Sequence, residues 1–207
     1  MLETAIEKAA YIEEKMKQFK LVDMREQFRD IIAGAQQESL GYMDFLVRLL
    51  SAEEEGKSAR RAEMLLGKAN FDTPSALKDI DYGFNPSLDR GKIDELGKLH
   101  FLDAHENIII IGPPGVGKSM IATGIGRNAC KAGRKVLFVN AKELVDRLHA
   151  EMHAGKLPET LGQLGRVELL IIDELSYLNM DRERESLFFQ VIRQRYEKSS
   201  LIITTNL

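Results

Sequence analysis

The chain has 207 residues, long enough for one large or two small domains with a buried core. Its 29 Lys plus Arg stand against 32 Asp plus Glu, and the net charge of −3 excludes a polycation, so any nucleic-acid contact must come from a local basic patch. One cysteine excludes an intramolecular disulfide, and no run approaches the roughly 20 apolar residues of a membrane helix.

The first residues, Met1 to Lys8, carry acids and lack a continuous apolar segment, which reads as the absence of a signal peptide and fits a reducing cytoplasm. Residues 1 to about 70 read as a small all-α domain. Met16, Phe19, Met24, Phe28, Ile31 and Ile32 recur at helical spacing, and a second segment runs from Tyr42 through Leu66. Its charged middle, Glu53-Glu54-Glu55, reads as a solvated face, and Arg60 and Arg61 are the local arginine pair to watch for phosphate contact. Residues 71–105 form a linker and a pre-core helix, because Phe71-Asp72-Thr73-Pro74-Ser75 breaks the helical pattern. Tyr82 and Phe84 then lie in a turn-rich stretch, where they either flank an adenine ring or pack the linker onto the core. A helix is expected from about Leu88 to Leu99.

From 106 to 207 strands and helices alternate, which predicts an α/β core with a parallel sheet. Asn107 to Ile111 is a β-branched run of the kind buried on both faces. Gly112-Pro113-Pro114-Gly115-Val116-Gly117-Lys118-Ser119 follows and satisfies G-x-x-x-x-G-K-[ST], with a helix opening at Met120. Backbone N–H groups of such a turn converge on one anion and the helix dipole adds to the attraction. ATP with Mg²⁺ is the expected ligand, held by 112–120, with Lys118 on the β- and γ-phosphates and Ser119 on the metal. Cys130, within that helix, reads as a small buried thiol. Lys135 to Val139 is the second strand, and Ala141 to His149 the next helix, broken by Gly155 and Pro158. Glu168 to Glu174 is the third strand, Glu183 to Lys198 a helix, and Leu201 to Asn206 the fourth strand.

Parallel sheets bind ligands at the carboxyl ends of their strands, which brings Gly112, Asp173 and Asn206 to one edge. Asp173 is a hard oxygen ligand for Mg²⁺, Glu174 can polarise a water for attack on the γ-phosphorus, and Asn206 can orient that water. His149 and His153 stand at zinc-compatible spacing without an evident third ligand. The segment from Arg182 to Lys198, with Arg184, Arg193 and Arg195, predicts a basic stripe that meets DNA or a neighbouring subunit, or faces solvent.

These residues resemble the IstB-type helper ATPases of bacterial insertion-sequence transposition, relatives of DnaC-type helicase loaders in the AAA+ superfamily. The resemblance covers nearly the whole chain. It rests on Asn85-Pro86-Ser87-Leu88-Asp89-Arg90, the 112–119 loop, 170–178 from Leu170 to Leu178, Phe188-Phe189-Gln190-Val191-Ile192 with Arg195-Tyr196-Glu197, and Ile203-Thr204-Thr205-Asn206-Leu207. It implies that Lys118 is the Walker A lysine, Asp173 and Glu174 the Walker B pair and Asn206 the sensor asparagine, all catalytic in an ATPase. It also implies a protein that assembles on DNA, as a homo-oligomer when full length, and delivers a transposase to its target; with no reading helix or finger motif and with basic residues scattered in local clusters, the DNA contacts are expected to be sequence-tolerant ones to phosphates. A final core strand and two arginines of such proteins would follow Leu207, which makes this an incomplete AAA+ core, and Arg193 and Arg195 precede the sensor strand. A replicative helicase as partner is the nearest alternative. A nucleotide-gated DNA- or protein-binding module without efficient hydrolysis is another, and a small-molecule kinase would need an acceptor segment or lid that the sequence does not display.

Overall fold

The computed structural model describes residues 4–177 and 181–206, so Leu178 and Leu207 of the quoted motifs lie outside the described residues. The chain divides into two compact units, Met1–Arg61 and Ala62–Leu207.

The first unit holds α1 (Ala5–Gln18), α2 (Val22–Gln37) and most of α3 (Tyr42–Lys68). Thr4 and Glu7 form a reciprocal capping box that satisfies the first amides of α1. The apolar stripes close on Met16, Met24, Phe28, Ile31, Leu49 and Ala52. Glu53 corrects the expectation of a solvated charged face. It is 4% exposed, and its carboxylate accepts from the Met24 N–H at 3.0 Å, capping α2 from α3. Burial works to raise the Glu53 pKa, but the Met24 N–H and the Lys57 ammonium at 3.3 Å outweigh it and hold the group below its ordinary value. Glu54 and Glu55 are exposed as expected. Arg60 is committed to Asp23 at 2.5 Å. Gly56 makes this network possible, because a Cβ there would lie 1.9 Å from Asp23 Cγ.

In the second unit, a 3-10 turn (Leu77–Asp79) and the helices α4 (Arg90–Gly97) and α5 (His100–Asp103) lead into β1 (Ile108–Ile111). Then come α6 (Lys118–Lys131), β2 (Val136–Asn140), α7 (Ala141–His153), α8 (Leu157–Gly165), β3 (Leu169–Asp173), α9 (Arg182–Arg195) and β4 (Ser200–Thr205). All strand pairs are parallel, in the order β1-β4-β3-β2. Side chains of β3 alternate between two cores, which explains its unbroken apolar run. Leu169 and Ile171 join Ile121, Ile125 and Phe138 on the α6 side, while Leu170 and Ile172 join Leu144, Leu148, Leu187 and Val191 among α7, α8 and α9. Cys130 is fully buried, and burial pushes its thiol pKa up to about 11.

Two local readings are corrected. β1 is an edge strand whose Ile109 and Ile111 are 62% and 55% exposed, so it is buried on one face only. Gly155 follows the end of α7, at φ +71°, but Pro158 stands in the first turn of α8 rather than only breaking its predecessor, since proline fits there, where its missing N–H has no intrahelical partner.

Arg195 is also not part of a basic stripe. It is 1% exposed, and its guanidinium donates to the carbonyls of Leu164 at 2.7 Å, Ser200 at 2.9 Å and Glu168 at 3.4 Å. Burial pulls its pKa down to about 10. It staples the ends of α8 and α9 to the starts of β3 and β4. Replacing Arg195 by Met strands those carbonyls, and a loss of about 3 kcal/mol, or roughly 6–12 °C in Tm, is expected. A thermal melt checks it: an unshifted midpoint would mean that the staple carries no stability.

Candidate functional site

The site forms where β1, β3 and β4 end. Gly112 to Gly117 leave β1 and enter α6, and Gly117 serves as N-cap in the left-handed region at φ +91°, where an L side chain is disfavoured. No side chain caps this helix, so its first amides face the loop with the dipole behind them. Lys118 Nζ folds back over the loop, donating to the carbonyls of Gly112 at 2.9 Å and Pro113 at 2.8 Å. An ammonium so placed spans the concavity in which an anion would sit.

Beside the loop, Ser119 Oγ donates to Asp173 Oδ1 at 2.9 Å. Asp173 is 6% exposed and also accepts from Thr204 Oγ1, whose oxygen in turn accepts from the Glu174 N–H at 2.9 Å. Glu174 itself has φ +60°, uncommon for a residue with a side chain, and its carboxylate accepts from Asn140 Nδ2 at 3.0 Å. Asn206 follows directly on β4, and its N–H donates to Ser176 Oγ at 2.8 Å. Lys118, Ser119, Glu174, Thr204 and Asn206, with the loop residues Pro114, Gly115 and Gly117, line a cleft of about 320 Å³. The structure thus brings the loop, Asp173, Glu174 and Asn206 to one edge. Ser119 and Asp173 offer two hard oxygen donors within one hydrogen bond of each other, a set that fits Mg²⁺.

Thr204, Asn140 and Ser176 were not singled out in the sequence. Thr204 carries a signal in hindsight: a buried hydroxyl in an apolar strand paired beside a carboxylate-bearing one needs a partner. A second cleft of about 290 Å³ adjoins the loop, bounded by Ile80, Phe84, Asn85, Leu88, Val116 and Met120. The two aromatics therefore divide. Tyr82 packs against the core under the Arg90 guanidinium, 5.5 Å from its ring centre, while Phe84, 76% exposed, borders the cleft.

A family model described as IstB-like ATP binding protein matches residues 14–207. The chain is 35% identical over 195 residues to a protein named for ATP binding from insertion sequence IS21 of Pseudomonas aeruginosa, covering 94% of this chain and 74% of that one. It is 36% identical over 195 residues to its counterpart from insertion sequence IS5376 of Geobacillus stearothermophilus, covering 94% and 78%. Among solved structures, the DnaC helicase loader superposes with a TM-score of 0.53 at 27% identity, over 67% of this chain and 77% of that one. DnaA from Aquifex aeolicus bound to AMPPCP superposes with a TM-score of 0.57 at 20% identity, over 65% and 43%, a likeness of fold.

Proposed function

The chain belongs to the family of IstB-like ATP-binding proteins, and on that premise we propose that it is an ATP-hydrolysing AAA+ protein that assembles on DNA as the helper of a transposase. The hydrogen-bonded chain from Ser119 through Asp173 and Thr204 to Glu174 carries the catalytic part of this reading. It links the phosphate loop to an acid beyond the metal-binding position. In this reading the 112–120 loop holds the phosphates and Lys118 leaves its two carbonyls for the β- and γ-oxygens. Phe84 borders the space for the base. Ser119 and Asp173 would hold Mg²⁺, which would supply charge compensation for the phosphates. Glu174 accepts the proton of a water attacking the γ-phosphorus, and Asn206 positions that water.

Support for DNA and a transposase comes from the relatives, which are named for insertion sequences. Their names favour a transposase over a replicative helicase as partner. No helix among the described residues is long and apolar enough to cross a membrane, and the proposed setting is the cytoplasm. Assembly into a homo-oligomer on DNA is part of the proposal. The test is a titration of duplex DNA in the presence of ATP at increasing salt. Binding through phosphates predicts a linear fall of log affinity with log salt and similar affinity for unrelated sequences. A salt-independent affinity, or strong preference for one short site, would contradict it.

A further inference from the structure

His149 and His153 lie on α7, and Glu183 near the start of α9 turns toward them. His149 Nε2 stands 3.0 Å from Glu183 Oε2 and 3.2 Å from His153 Nε2, and the rings meet edge to face with centres 4.5 Å apart. The three ligand atoms all lie within 4.8 Å of one another. A tetrahedral ion with bonds of about 2.0–2.1 Å separates neighbouring ligand atoms by about 3.3 Å, close to the two short edges here.

Protons alone serve this cluster badly. One imidazole nitrogen carries either a proton or a lone pair. With a lone pair, His149 Nε2 accepts from His153 but confronts the Glu183 carboxylate. With a proton, it satisfies Glu183 and leaves His153 only a share. A cation takes all three lone pairs at once. The neighbouring Arg184 is paired with Asp181 at 2.7 Å and Asp146 at 3.6 Å rather than with Glu183.

We propose that His149, His153 and Glu183 form a site for a zinc-class divalent cation, clamping α7 to the start of α9, with a further coordination position left for water. Two imidazoles and one carboxylate suit Zn²⁺ and its neighbours Co²⁺ and Ni²⁺ rather than Mg²⁺, which prefers an all-oxygen shell. The site shares no residue with the nucleotide cleft, so its test is independent of the ATP reading.

The test is a Zn²⁺ titration of the untagged, metal-stripped full chain in nucleotide-free buffer, read by a competing chromophoric chelator and by thermal melting. Wild type should bind a single equivalent and gain several degrees in Tm. His153→Gln and Glu183→Gln, both at exposed positions, should each weaken zinc by at least about tenfold and abolish the gain, while His100→Gln/His105→Gln should behave as wild type. Undiminished zinc affinity in either single variant, or no zinc-induced shift in wild type, overturns the site.

Discussion

Glu174→Gln is expected to retain ATP binding and to lower hydrolysis by about 10²- to 10⁴-fold, the usual contribution of a positioned general base. The substitution is close to isosteric, and the amide oxygen can still accept from Asn140, which now holds the Glu174 carboxylate at 3.0 Å. The Glu174 N–H keeps its bond to Thr204, so the φ of +60° and the Ser119–Asp173 pair persist. What disappears is the proton acceptor alone. Phosphate release is measured at saturating ATP with DNA present, alongside nucleotide affinity and melting temperature. Equal rates in variant and wild type would remove Glu174 as the base and leave the nucleotide-gated binding module as the better account.

The parts of the site legible in sequence are those whose geometry is local. The 112–119 loop declares itself because strand, glycines, lysine, hydroxyl and helix follow one another, and the two acids follow directly on an apolar strand. Thr204 escaped because it reaches Asp173 only through the pairing of β3 with β4, 31 residues away. Glu53 failed for the same reason: its neighbours in sequence are charged and exposed, but its partner is the Met24 N–H, 29 residues back. Arg195 looks from its surroundings like one more surface cation, and only the convergence of three carbonyls from separate segments explains its burial. The edge position of β1 depends on strand order, which periodicity does not encode. In α8 the apolar pattern is short and a proline stands in its first turn, so the break signal masked the helix start.

Lys118 tests the central claim most directly. In the structure its ammonium bonds the carbonyls of Gly112 and Pro113, contacts that hold it over the loop and can be exchanged for phosphate oxygens as an anion enters. Charge-assisted hydrogen bonds are each worth about 1.5–3 kcal/mol, so their loss corresponds to roughly 10- to 150-fold in affinity. A fluorescent ATP analogue is titrated with Mg²⁺ into wild type and Lys118→Ala, with a melting curve for each to show that the fold is kept. Tight binding by wild type and a loss of at least about tenfold in a folded Lys118→Ala is the predicted result; equal affinity in the two proteins would contradict the assignment of 112–120 as the nucleotide site.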